Sequence, residues 1–231
     1  MKKAIFLVLL ISLSIQTPAQ KNFVQVGLLA GPSWVNLYGN PFIETFLEPE
    51  FRFTGGPTVY YPFHKHFAVK SNLFFESKGS GGILPLFDEA GEPLGIHETE
   101  VHYNYLTIPL LFDYYFGRRL KGNLTAGPYL GVMLNQNTTY TKPVGGESIV
   151  EKGTANFIPW DGGLVLGTGG RYTLSKRFTV SIEGRYNIGL TNIVSRPVMG
   201  SLTIYNLSTQ IMLGIFYTPG YQAGRVRNSH L

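Results

Sequence analysis

Several groups of residues in this 231-residue chain have types and spacing that could do chemistry. His64 and His66 form an H-x-H pair, and two imidazoles on one side of an extended segment could share a metal. No third ligand stands nearby, so surface histidines are the expectation. His97, Glu98, Glu100 and His102 spell H-E-x-E-x-H, unlike the helical H-E-x-x-H zinc signature whose ligands lie one turn apart. Ser77 and Ser80 are hydroxyl nucleophiles that His97 or His102 could serve as base, the minimum for a lipid enzyme at a membrane rim. No G-x-S-x-G elbow accompanies them, and nothing marks an oxyanion site. Gly162-Gly163 and Gly167-Thr168-Gly169-Gly170 lie within an alternating segment rather than ahead of a helix, which does not suit phosphate binding. The chain has no cysteine, removing disulfides, thiolate zinc sites and cysteine nucleophiles together. No catalytic residue, metal site or cofactor is therefore expected, and the protein reads as a non-enzyme.

The remaining group is ionic. Arg52, Lys70, Glu76, Lys78, Asp113, Arg171, Glu183 and Arg185 fall on the polar faces of segments whose opposite faces are apolar. In 176–189, Phe178, Val180, Ile182, Tyr186 and Ile188 oppose Thr179, Ser181, Glu183, Arg185 and Asn187. Period-two alternation sends the two sets to opposite faces of a sheet. Eight such segments are predicted, at 22–35, 50–61, 66–79, 100–116, 121–136, 157–172, 176–189 and 202–218.

Their connections alternate in length. Residues 62–65, 117–120 and 173–175 are tight turns; 36–49, 80–99, 137–156 and 190–201 are long. Short periplasmic turns and long extracellular loops are the pattern of outer-membrane barrels with an even strand number. The expected fold is thus all-β: an eight-stranded antiparallel up-and-down transmembrane barrel. Its narrow interior is expected to be filled by side chains, with the mixed charges forming a structural, salt-bridged plug rather than a pore.

Composition agrees. Charged residues are 14% of the chain, well below the roughly 25% of soluble domains. Yet no window after the N-terminus is long and apolar enough for a membrane helix, so strands must carry the apolarity. Lys2 and Lys3 precede an apolar run over 4–15, and Thr17-Pro18-Ala19 places small residues before a cleavage point. That is the plan of a secretory signal over 1–20, ahead of a barrel over 21–219 and a short basic tail over 220–231. Losing two lysines lowers the formal charge from +5 to about +3 (5 − 2), too small and scattered to suggest nucleic acid. Outer-membrane lipid is the expected partner. Loop aromatics Phe42, Phe46 and Phe87 are candidates for contact with other envelope or secretion proteins.

Six stretches carry a family resemblance: Val26-Gly27 with Gly31-Pro32-Ser33, Phe74-Phe75-Glu76-Ser77-Lys78-Gly79, Tyr103-Asn104-Tyr105-Leu106-Thr107-Ile108-Pro109-Leu110, Ala126-Gly127-Pro128-Tyr129-Leu130-Gly131, Asp161-Gly162-Gly163 with Gly167, and Glu183-Gly184-Arg185-Tyr186. In this order the chain resembles the PorT-type outer-membrane barrels of Bacteroidetes, the outer membrane protein β-barrel domain group. The resemblance implies an eight-stranded barrel in the outer membrane. The namesake's association with type IX secretion and gliding implies an accessory or interaction role through the loops. The alternatives are a small-solute or lipid transporter, the rim-located enzyme, and a soluble lipophile carrier whose apolar face would point inward.

Overall fold

The computed structural model describes residues 24–219 apart from 88–89, 118–119, 142–147, 155 and 196–202. The expected signal over 1–20 and tail over 220–231 lie outside the described residues, as does the side chain of Phe87.

Alternation becomes eight long strands: β1 Gln25–Tyr38, β2 Glu50–Pro62, β3 Phe67–Asn72 continuing as Phe74–Phe87, β4 Pro93–Gly117, β5 Leu120–Thr141, β6 Trp160–Thr173, β7 Phe178–Gly189 and β8 Tyr205–Tyr217. Each pairs antiparallel with its neighbours in sequence. β8 returns to β1, with Leu28 opposite Ile215, and closes the ring. Closure pairs every strand of the ring on both sides along the wall, as a membrane interior requires.

The two faces are inverted relative to a water-soluble protein. Phe51, Phe53 and Leu213 point outward and are 62%, 62% and 63% exposed, whereas Lys70 and Asp161 point inward at 0%. This inversion rules out the soluble-carrier alternative, which needs the apolar face inside. Aromatic side chains collect at the short-turn end, where Phe63, Phe67 and Tyr114 lie in ring contact. Such girdles mark a membrane–water boundary.

Two ladder breaks have a common cause. β3 is interrupted at Leu73, whose N–H donates to the Pro57 carbonyl at 2.9 Å; proline has no N–H to return the bond. The β4–β5 ladder skips similarly between the Pro109–Tyr129 and Phe112–Ala126 pairs, where Pro128 lies. Register is unchanged across both. Close approach between strands explains some of the inward glycines: a Cβ on Gly31 would lie 1.9 Å from the Ile211 carbonyl oxygen, and one on Gly127 2.0 Å from that of Leu110.

The long-loop end differs from its sequence-based reading. The connection over 80–99, read as a long loop, is largely strand in its described residues. β3 and β4 continue beyond the wall as a hairpin arm, pairing Ser80 with Val101 through to Leu86 with Gly95. β5 also extends to Thr141 and is capped by a short strand, Ser148–Lys152. A bulge at Leu134–Asn135 shifts β5 by one residue against β4, so the inward set changes from Tyr129 and Met133 to Gln136 and Thr138. Between β1 and β2 stands a short helix, α1 Pro41–Phe46, started by the Asn40 side chain accepting from Phe42 and Ile43 N–H groups. A two-residue strand, Leu47–Glu48, then pairs with Gly81–Gly82.

Candidate functional site

The barrel interior divides into a charged column and, above it at the long-loop end, an apolar chamber. The column is built by strand parity: even-numbered residues of β3 and β8 and odd-numbered residues of β4, β6 and β7 face inward.

At the short-turn end, the Arg171 guanidinium lies 3.9 Å from the Tyr60 ring and 4.0 Å from that of Phe216. It also donates to Gln25 Oε1 at 2.6 Å. Aromatic faces and a neutral amide accommodate this cation.

Next comes the central cluster. Lys70 Nζ donates to both Glu183 oxygens at 2.9 and 2.8 Å and lies 3.2 Å from Asp113. Arg185 donates to Glu183 through Nε at 3.1 Å and Nη2 at 2.8 Å, and through Nη1 to Asn72 at 3.2 Å. Asp113 accepts from the Tyr115 hydroxyl at 2.9 Å and the Thr125 hydroxyl at 2.5 Å.

Above it, Glu76 accepts from Gln210 at 2.6 Å and Thr107 at 3.0 Å. Lys78 donates to Asp161 at 2.8 Å, lies 3.5 Å from Glu76, and sits 4.3 Å from the Tyr129 ring. Asp161 also accepts from Asn206 at 3.0 Å and from the Tyr129 hydroxyl. Four bases (Lys70, Lys78, Arg171, Arg185) and four acids (Glu76, Asp113, Asp161, Glu183) are thus buried together and balance. Buried charges persist where partners and hydrogen bonds replace lost water, as here. A cavity within this column, beside Glu76, Lys78 and Arg185, is about 10 Å³, at or below the roughly 10–15 Å³ that one water requires.

Seven of the eight charged residues singled out from sequence line this column. Arg52 does not join it. Its guanidinium pairs with Glu50 and lies 3.0 Å from His102 Nε2, at the long-loop end. Asp161 went unselected in the sequence, although its ten-residue separation from Arg171 along β6 puts both on one face. Sequence parity would have found it.

The other candidates separate. His97 and His102 are five residues apart on one strand, an odd spacing, so they face opposite sides: His97 is 3% exposed and inward, His102 outward. Ser77 and Ser80 are split likewise. His64 and His66 lie in the first short turn with ring centroids 6.2 Å apart, and the His66 ring bonds the Tyr115 carbonyl. Among the described residues no group of three or more ligating side chains is arranged to hold a metal ion. Phe42 and Phe46, one helical turn apart on α1, contact each other at 4.7 Å between centroids and remain exposed.

The chamber above the column has a volume of about 350 Å³. Leu37, Leu47, Val101 and Val194 form apolar walls, with Phe157 and Ile204 from the connections. Tyr103 also borders it, its ring 5.1 Å from that of Phe157. Gln136, Thr138, Glu151 and Lys152 supply a polar side.

Residues 16–195 match the family model described as "Outer membrane protein beta-barrel domain". Among solved structures, the chain is similar to Neisserial surface protein A at 12% identity and a TM-score of 0.47, covering 84% of this chain and 96% of that one. It is also similar to the outer membrane protein OprG from Pseudomonas aeruginosa, at 12% identity and a TM-score of 0.43, covering 85% and 96%. The outer membrane protease OmpT from Escherichia coli matches at 10% identity and a TM-score of 0.42, over 89% and 99%. No curated protein matches the chain.

Proposed function

This chain belongs to the outer membrane protein beta-barrel domain family, and from that premise we propose that it is a non-enzymatic, non-conducting barrel working through its long-loop end outside the cell. The observation carrying this reading is the charged column: eight balanced ionic side chains are buried in the interior, and the cavity beside Glu76, Lys78 and Arg185 measures only about 10 Å³. A hydrated ion cannot pass without breaking several buried pairs, each held in place by neighbours on other strands.

The remaining surface for function is the long-loop end. The exposed Phe42–Phe46 pair on α1 presents an apolar contact for another envelope protein, and aromatic side chains are favoured anchors at interfaces. The PorT-type motifs of β3 to β7 favour an accessory role in a secretion or surface complex. Export by a signal over residues 1–20 and cleavage before the barrel belong to the same reading.

Two measurements test it. Purified protein in a planar bilayer is expected to remain electrically silent; steady ohmic conductance would end the plugged reading. Deleting the gene is expected to remove several surface or secreted proteins together, as read by mass spectrometry. An unchanged secretome would remove the secretion role and leave a stand-alone barrel.

A further inference from the structure

We infer that the chamber above the charged column is a binding site for a small single-headed amphiphile with a cationic head, entering from the long-loop end. The site rests on the plugged reading, because the column is what closes its floor.

Size sets the scale of the ligand. A volume of about 350 Å³ lies at the lower end of small-molecule pockets, roughly 300–1,000 Å³. At about 30 Å³ for each water-sized unit it holds roughly a dozen non-hydrogen atoms.

Lining sets its body. The inward face changes character at the top of the column. Below, Glu76, Lys78 and Asp161 fill it; above, Leu37, Leu47, Val101, Tyr103 and Val194 do, all at least nine-tenths buried. A polar interior would have been the cheaper continuation for a water-filled mouth, whereas apolar walls around a space gain only when an apolar group enters. The bulge at Leu134–Asn135 turns Gln136 and Thr138 toward the same space. One polar side in an apolar cup fixes the orientation of a ligand.

Charge sets the head. Among the described residues, the long-loop end carries Glu44, Glu48, Glu50, Glu92, Glu98, Glu100 and Glu151 against Arg52 and Lys152, an excess of five acids (7 − 2). Glu151 borders the chamber itself, with Lys152 beside it, so the acidic excess lies in the surround rather than in the lining. Such a field raises the local concentration of cations and repels carboxylates. His97, two residues beyond Thr99 on the same inward face, is 3% exposed, and its Nδ1 finds no hydrogen-bond partner among the described residues. Thr99 lines the chamber. A buried ring nitrogen without a partner is costly, and this one would take a polar group as donor or acceptor according to the ring's tautomer.

The test uses the full barrel in phosphatidylcholine nanodiscs, titrated calorimetrically with octylammonium and, separately, octanoate, with empty nanodiscs subtracted. Saturable binding of octylammonium with one site per barrel is expected, with octanoate weaker by about tenfold. Val101→Trp fills the chamber and is expected to weaken octylammonium binding at least about tenfold. Glu151→Lys is expected to narrow the preference for the cation. Ile204→Trp, outside the strands, serves if Val101→Trp does not give a folded barrel. Heat no different from empty nanodiscs would overturn the site, as would unchanged affinity in the filled variants. Equal binding of octanoate would overturn the cationic head. Conductance on the same preparation separates the two readings: a leaking barrel that fails to bind loses both, a silent one that fails to bind loses only the chamber.

Discussion

Lys70 and Glu183 stand 113 residues apart in the chain, and their charged groups meet at 2.8 Å in the middle of the barrel. Lys70 is on β3 and Glu183 on β7, four strands apart in a ring of eight. The pair therefore spans the lumen between opposite walls. Arg185 to Asn72 makes a second tie between the same two strands. Backbone ladders hold each strand to its neighbours, while these bonds hold the ring across its diameter.

Removing one end of such a tie strands the other. Lys70→Met leaves Glu183 with Arg185 alone and Asp113 without its cation. We expect a loss of about 3–5 kcal/mol in urea unfolding from lipid vesicles. Adding Glu183→Gln to that variant should recover part of the loss, because the cluster, left with Arg185 and Asp113, returns to zero net charge. A strictly additive double variant would show that the two groups are not coupled.

Backbone closure at the β1–β8 seam depends on Gly31. Its missing Cβ leaves room for the Ile211 carbonyl, which a side chain would meet at 1.9 Å. Gly31→Val should abolish the compact, heat-modifiable band on electrophoresis, whereas Ala30→Val, on the opposite face, should keep it. A folded Gly31→Val barrel would contradict the register.

The lipid face can be mapped by arginine scanning. Ile182 and Leu213 are cross-strand partners pointing outward, 54% and 63% exposed. Leu213→Arg is expected to cost about 2–4 kcal/mol if it lies at the bilayer midplane, and Leu174→Arg, beside a short turn, about 0–1. Equal costs at the two positions would argue against the membrane boundary drawn here.

Hydrogen exchange can distinguish arm from loop. Ser80 to Leu84 pair in register with β4 beyond the column, so their amides should exchange more slowly than those of Gly39 and Asn40, which lie outside the strands. Exchange as fast as in that connection would restore the long loop expected from sequence.

Much of this was written along the chain. Strand number, closure order and the faces of each strand follow from period-two alternation and the alternating connection lengths, which are local properties. Parity alone sends Lys70, Glu76, Lys78, Asp113, Glu183 and Arg185 inward, and would have sent Asp161 with them. It could not say which of them touch. Partners across a lumen depend on strand tilt and stagger, which belong to the closed ring and not to any one segment. That is why Arg52 ends beside Glu50 and His102 while Arg171 settles on Tyr60 and Phe216. The hairpin arm over 80–99 was hidden because its glycines and charges read as loop until β4 supplied a partner ladder. The chamber was least legible of all. Its walls come from β1, β3, β4, β5 and three separate connections, and only the folded ring brings Leu37, Val101, Phe157 and Ile204 around one space.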